Sequence, residues 1–100
     1  MAIVETSITP IGTAATSVSK YVAKCHEVLK DFPEIKYQLT PMGTILEGDL
    51  AKILEAIAIM HEVPFSQGAE RVSTLIKIDD RRDKKATMEG KMESVLSKLQ

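Results

Sequence analysis

Two five-residue motifs in this chain are nearly identical and could contribute to one binding site. They are T-P-I-G-T at Thr9–Thr13 and T-P-M-G-T at Thr40–Thr44. Glycine allows a tight turn or a close approach of the backbone to a ligand, and the threonine after it offers a hydroxyl and an amide. Two ordinary turns would have the same composition. The fold must bring the motifs together before they can act as one site.

Other chemically active side chains are few. Cys25 is the only cysteine, so it cannot form an internal disulfide, and we expect it to be a small core residue. His26 and His61 are far apart in sequence, without a nucleophile motif or metal-ligand spacing nearby. His61 and Glu62 are interpreted as a pair of residues at a helix end. The pattern predicts no catalytic activity and no metal site.

Charge and composition exclude further functions. Thirteen basic and fourteen acidic residues nearly cancel, and only four residues are aromatic, so nucleic acid is not an expected partner. The beginning of the chain, M-A-I-V-E-T, lacks a basic lead and a long apolar run, which predicts no signal peptide, no membrane contact and a cytoplasmic location. The charged run at 79–85 is typical of a solvated turn.

Periodicity predicts the elements that position these residues. Strands are expected at 3–11, 35–39, 44–47 and 71–79. A first helix begins after Ser17 as its cap and ends at Pro33, and a second begins after Gly48 and Asp49, with Pro64 disturbing its last turn and Gly68 past its end. The apolar face expected for the second helix is Leu50, Ile53, Leu54, Ile57 and Met60. A last amphipathic helix carries Met88, Met92, Val95, Leu96 and Leu99 on one face and must cover something, in this subunit or a neighbour.

This order predicts an α+β fold, a ferredoxin-like βαββαβ antiparallel sheet with strand order 4-1-3-2 plus a C-terminal helix, as a single domain over residues 1–100. Right-handed crossovers place both main helices on one face and leave the other open. The third strand runs antiparallel beside the first, so the two motifs should be neighbours at one end of the sheet.

Aligning the strand ends gives an expected register. Glu5 is then opposite Lys77 on one side and Glu47 on the other, and Ser7 is opposite Leu75. The open face is expected to carry Glu5, Ser7, Ile45, Glu47, Ser73, Leu75 and Lys77. The helix-covered face is expected to carry Thr6, Ile8, Leu46, Val72, Thr74, Ile76 and Ile78. The charged groups could form cross-strand pairs or, under a second subunit, orient a small polar ligand.

Several motifs together resemble the thiamine-binding-protein family, which is related to the YkoF-like proteins. They are P-I-G-T with Ser17 and Tyr21, P-M-G-T-I-L-E-G, His61-Glu62, and R-V-S-T-L-I-K-I-D-D-R-R-D followed by Lys91. The resemblance covers nearly the whole chain. It implies a ferredoxin-like subunit, homodimers or homotetramers formed by sheet-to-sheet packing, binding of thiamine or its hydroxymethylpyrimidine part, and no catalytic activity. The recurring residues of the family correspond to Gly12, Thr13, Ser17, Thr44, Glu47, Arg71 and Lys77. The sequence E-V-P-F near the end of the second helix departs from the family pattern.

The combined prediction is a non-catalytic binding protein without a cofactor, with its ligand at a subunit interface on the open sheet face. An aminopyrimidine amine could donate to Glu47 or Glu5, while Ile45 or Leu75 packs on the ring. The predicted ligand-binding residues are Glu5, Ser7, Gly12, Thr13, Thr44, Ile45, Glu47, Leu75 and Lys77. A regulatory module that senses an effector and a structural protein without a ligand are the alternatives.

Overall fold

The computed structural model describes residues 1–12, 19–83 and 87–99, and its elements follow the predicted order with small changes at their ends. The strands are β1 (Ala2–Ile11), β2 (Lys36–Thr40), β3 (Gly43–Gly48) and β4 (Arg71–Asp80). The helices are α1 (Ser19–Val28, extended by a 3-10 turn at Leu29–Asp31), α2 (Leu50–Ser66) and α3 (Met88–Lys98). Within these ranges, no helix is long and apolar enough to cross a membrane.

The sheet is antiparallel with the order β2-β3-β1-β4, which confirms the predicted topology. β1 pairs with β4 over its whole length, and Glu5 is opposite Lys77 as expected. The predicted pairing of Glu5 with Glu47 is wrong, because Glu5 is opposite Ile45 and Glu47 is opposite Ile3. β3 has six residues and β1 has ten, so aligning their ends shifts the register by two residues.

The core lies between the sheet and the two main helices. Val4 and Leu46 on the central strands pack with Ile53 and Ile57 of α2, and all four are essentially inaccessible to solvent. Burying each such side chain contributes about 1.5–3 kcal/mol to the free energy of unfolding. Cys25 is buried in this core, as expected.

Two burial predictions are corrected. Ile76 and Ile78 were expected under the helices, but both are more than 40% exposed. They lie on β4, an edge strand, whereas the buried strand residues lie mainly on β1 and β3. On α2, Leu54 is partly exposed and Ala56 is buried instead, because the buried face is Ile53, Ala56, Ile57, Met60 and Pro64.

The ends of α2 follow from local chemistry. Asp49 caps the helix by accepting a hydrogen bond from the Lys52 amide at 3.3 Å. Pro64 does not end the helix, which continues to Ser66, and Gly68 follows with a φ of 100°. Ser17, the expected cap of α1, lies outside the described residues.

Candidate functional site

β1 continues beyond the β2–β3 hairpin and leaves a notch in the sheet. The pairing of β1 with β3 stops at Thr6 opposite Thr44, while the pairing with β4 continues to Ile11 opposite Arg71. Within the described chain, Ser7–Ile11 therefore have a strand partner on one side only. Backbone groups on the β3 side of this segment are outside the ladder of the described strands and are available to a side chain, to water or to a ligand.

A pocket of about 260 Å³ lies at this notch. Its lining combines one stretch of β1, the tip of the hairpin and the inner faces of two helices. The lining residues are Thr6, Ser7, Ile8, Thr9, Val22, Cys25, His26, Leu39, Thr40, Pro41, Met42, Gly43, Thr44 and Met60. Thr9 of the first motif and all of the second motif thus border one pocket, as their predicted neighbourhood requires.

A histidine and a threonine form a polar centre in this pocket. His26 Nε2 and Thr44 Oγ1 form a hydrogen bond of 2.9 Å, and the His26 ring meets Tyr37 edge-on with ring centroids 5.5 Å apart. Partial burial lowers the pKa of His26 below its usual value, so the ring is neutral near pH 7. A neutral imidazole offers one donor and one acceptor.

Several residues with hydroxyl groups border the pocket, and only some of these hydroxyls already form hydrogen bonds within the protein. Thr6 Oγ1 donates to the Leu75 carbonyl at 2.9 Å, and Thr40 Oγ1 donates to the Gly43 carbonyl at 3.0 Å. By contrast, the side chains of Ser7 and Thr9 have no hydrogen-bond partner among the described residues. Because side chains alternate along a strand, Ser7 and Thr9 lie on the opposite side of β1 from Thr6 and Ile8, so the free backbone edge of β1 is the group best placed to bind a ligand in this pocket.

Cys25, at the floor of the pocket, has a structural partner. Proline has no N–H, so Pro64 cannot bond to the carbonyl of Met60 four residues earlier in α2. The Cys25 thiol donates to that carbonyl, with 3.5 Å between Sγ and O. Burial raises the pKa of Cys25, so it stays a thiol and is a weak nucleophile.

A second polar region lies on the opposite face of the sheet. Lys36, Glu47, Ile3 and Asp79 form a row across the four strands. The first turn of α3 spans this row, because Glu89 pairs with Lys36 at one end and Lys91 pairs with Asp79 at the other.

Glu47 lies within this row and is almost completely buried. It is only 4% exposed, and its Oε1 has no hydrogen-bond partner among the residues that the structure describes. An unsatisfied buried carboxylate oxygen is costly, so this atom is a candidate contact for a ligand or a neighbouring subunit.

The structure separates the predicted ligand-binding residues into three groups. Glu5, Ser7, Ile45, Glu47, Leu75 and Lys77 share the face opposite α1 and α2, and Ser7 also borders the pocket. Thr44 is buried on the helix-covered face, next to His26. Gly12 borders a wider pocket near Arg71, and Thr13 lies outside the described residues.

His26 is not among the residues that the sequence predicted for the site. Its spacing of four residues from Val22 and three from Leu29 puts it on the inner face, and this signal was present in the sequence. His61 has a structural contact, a 2.6 Å hydrogen bond between its Nδ1 and Thr74 Oγ1. Among the described residues, no three His, Cys, Asp or Glu side chains are grouped to hold a metal ion.

Comparisons with known proteins show the family of this chain and its fold. The family model described as "Thiamine-binding protein" matches residues 4–96. This chain belongs to the thiamine-binding protein family. Among its relatives, the UPF0045 protein YqgV of Bacillus subtilis is 52% identical, and the comparison covers 100% of this chain and 99% of the relative.

Solved structures of proteins similar to this chain have the same fold. The protein MJ1052 of Methanocaldococcus jannaschii superimposes with a TM-score of 0.84 at 41% identity, over 94% of each chain. A Bacillus cereus domain of unknown function, DUF77, superimposes with a TM-score of 0.78 at 29% identity, over 90% of this chain and 85% of that one. The α+β fold is therefore shared with proteins that are 41% and 29% identical to this chain.

Proposed function

We propose that this chain is a non-catalytic binding protein for thiamine or its hydroxymethylpyrimidine part, with the pyrimidine ring in the pocket at the notch. The observation that carries the proposal is the convergence of the His26–Thr44 pair and the free backbone edge of β1 on one pocket. Membership of the thiamine-binding protein family supports the ligand class.

The size of the pocket favours one ring. Sites for drug-sized ligands are usually about 300–1,000 Å³, and this pocket is slightly smaller at about 260 Å³. An aminopyrimidine also matches the lining chemically. Its ring nitrogens can accept from a backbone N–H of the β1 edge, its amine can donate to a carbonyl of the same edge, and Ile8 and Val22 provide apolar surface for the ring.

Charge favours the pyrimidine over the thiazolium part of thiamine. No Asp or Glu is among the described lining residues, and His26 is neutral, so a cation would gain no ion pair in this pocket. The thiazolium would therefore extend outward into water.

The open sheet face remains a second candidate position for the ligand. It is favoured by the unpaired buried oxygen of Glu47. We also propose that the protein self-associates through this face, because apolar side chains are exposed there. Leu75 is 71% exposed, and the exposed apolar residues of α3 include Met92, Val95 and Leu99. An effector-sensing role would require the size of the assembly to change with ligand, which light scattering measures.

A matched pair of substitutions on opposite faces of β3 tests the position. Isothermal titration with hydroxymethylpyrimidine, the thiazole part and thiamine would be done on the wild type, Thr44→Val and Glu47→Gln. We expect the pyrimidine compounds to bind and the thiazole part not to bind. Thr44→Val should weaken binding about tenfold, the equivalent of one hydrogen bond, while Glu47→Gln changes it less than twofold.

The opposite result has a definite meaning. A loss in Glu47→Gln with normal binding in Thr44→Val would place the ligand on the open sheet face. No binding of any of the three compounds to the wild type would refute the vitamin ligand and leave the fold unchanged.

A further inference from the structure

A second pocket of about 590 Å³ lies next to the first, at the end of the sheet where β1 finishes and β4 begins. Its described lining consists of the end of β1, one residue of α1 and the segment that joins α2 to β4. These residues are Ile11, Gly12, Tyr21, Gln67, Gly68, Ala69, Glu70 and Arg71.

Arg71 is the only cationic side chain among the described residues that line this pocket. Arg81 and Arg82 each bind a nearby aspartate, whereas Arg71 forms no salt bridge or side-chain hydrogen bond with any described residue. A free guanidinium presents paired N–H donors that match the oxygens of a phosphate. The backbone at Gly12, with a φ of 79°, adds a wall without a side chain, and no atom lies within 4 Å of the position that a Cβ would occupy.

The two pockets are adjacent along two elements. Thr9 borders the first and Ile11 the second, a separation of about 7 Å along β1. On α1, the consecutive residues Tyr21 and Val22 border the second and the first pocket, respectively. A phosphate on a short flexible arm of a ligand bound in the first pocket can therefore reach Arg71.

We propose that Arg71 and the second pocket bind the phosphate of a phosphorylated ligand, so that the protein prefers a phosphomonoester of its pyrimidine-type ligand to the free alcohol. This inference rests on the proposed function, because the ring must occupy the first pocket. Glu70 lines the second pocket too, and its negative charge opposes the phosphate. Its removal should therefore strengthen the preference.

Isothermal titration at one fixed ionic strength tests the preference. The probes are hydroxymethylpyrimidine and its monophosphate, and the variants are Arg71→Gln, Glu70→Gln and Lys30→Gln. Lys30 is an exposed residue of the 3-10 turn that follows the C-terminal end of α1, so it is a control for the same change in net charge. We expect the wild type to bind the monophosphate about tenfold more tightly than the alcohol.

The variants should change this ratio in opposite directions. Arg71→Gln should bring it close to one without altering the affinity for the alcohol, Glu70→Gln should raise it severalfold, and Lys30→Gln should leave it unchanged. A wild-type ratio of one or less, or a ratio that survives in Arg71→Gln, would overturn the phosphate site.

Failure of the proposed function gives a different result. If neither ring compound binds, the first pocket is not the pyrimidine site. Inorganic phosphate, followed by NMR at the Arg71 Nε–H and the Gly12 amide, then tests the second pocket alone. Saturable shifts in the wild type that Arg71→Gln loses would support an anion site, and their absence would overturn it.

Discussion

Replacing Gly43 with alanine tests the close approach of the hairpin to β1. A Cβ at this position would lie 2.6 Å from the Thr6 carbonyl oxygen and 3.6 Å from the Cβ of Ser7. Carbon–oxygen contacts between strands are normally about 3.3–3.6 Å. The start of β3 would have to move away from β1 by about 0.7 Å, and the blocking atom belongs to the backbone of a central strand and cannot rotate away.

The expected cost follows from two opposing effects. Forcing a methyl group into a filled space costs about 1–3 kcal/mol, while removing a glycine restricts the unfolded chain and returns about 0.4–1 kcal/mol. We therefore expect Gly43→Ala to lower the free energy of unfolding by about 1–2 kcal/mol and Tm by about 5–10 °C. Urea denaturation followed by circular dichroism measures the first, and a thermal scan the second.

The neighbouring Met42 provides the control. Its side chain is 85% exposed at the hairpin tip, so Met42→Ala should change the free energy of unfolding by less than about 0.5 kcal/mol. If Gly43→Ala also stays within 0.5 kcal/mol of the wild type and binds the pyrimidine ligand normally, the hairpin does not depend on this contact and the reasoning is refuted.

Two further predictions concern stability. Because burial lowers the pKa of His26, the native state binds fewer protons than the unfolded chain, and stability should fall as the pH drops below about 6.5. His26→Gln should reduce this fall between pH 7.5 and 5.5 in urea denaturation, and an unchanged pH dependence would contradict the assignment. Ile53→Ala should cost about 2–5 kcal/mol, because Ile53 is fully buried. The adjacent Leu54→Ala should cost much less, because Leu54 is 38% exposed, and equal losses would be inconsistent with the packing.

The strand order and the β1–β4 register were predictable because the sequence pattern marks both ends of β1 and both ends of β4. β1 and β4 have ten residues each, so aligning their ends gave the observed pairing of Glu5 with Lys77. The same procedure failed for β3, because it is shorter and nothing in its sequence says where along β1 it stops. Strand length differences therefore limit register prediction from a single sequence.

The two similar motifs show a second limit of prediction from a single sequence. Their glycines occupy the same place in the motif, but the structure requires glycine at the two positions for different reasons. Gly12 adopts a positive φ of 79°, whereas Gly43 is required by its approach to the Thr6 carbonyl. Periodicity places Thr44 and Glu47, three residues apart in β3, on opposite faces, but it does not show that Thr44 pairs with His26 or that Glu47 is buried. Glu47 lies in the row of side chains that the first turn of α3 spans, and the strand pattern does not include α3.

The notch beside β1 links the length of the β2–β3 hairpin to the size of the molecule that the pocket can admit. The hairpin stops at Thr6, so the length of β2 and β3 determines how much of the neighbouring strand edge stays free. Each additional residue per strand would advance the hairpin tip by about 3.4 Å and cover another position of β1. A longer hairpin would admit only smaller molecules, and a shorter one would open the pocket towards Arg71. Ligand size could thus be altered by insertions or deletions at the tip, without substitution of any residue that contacts the ring.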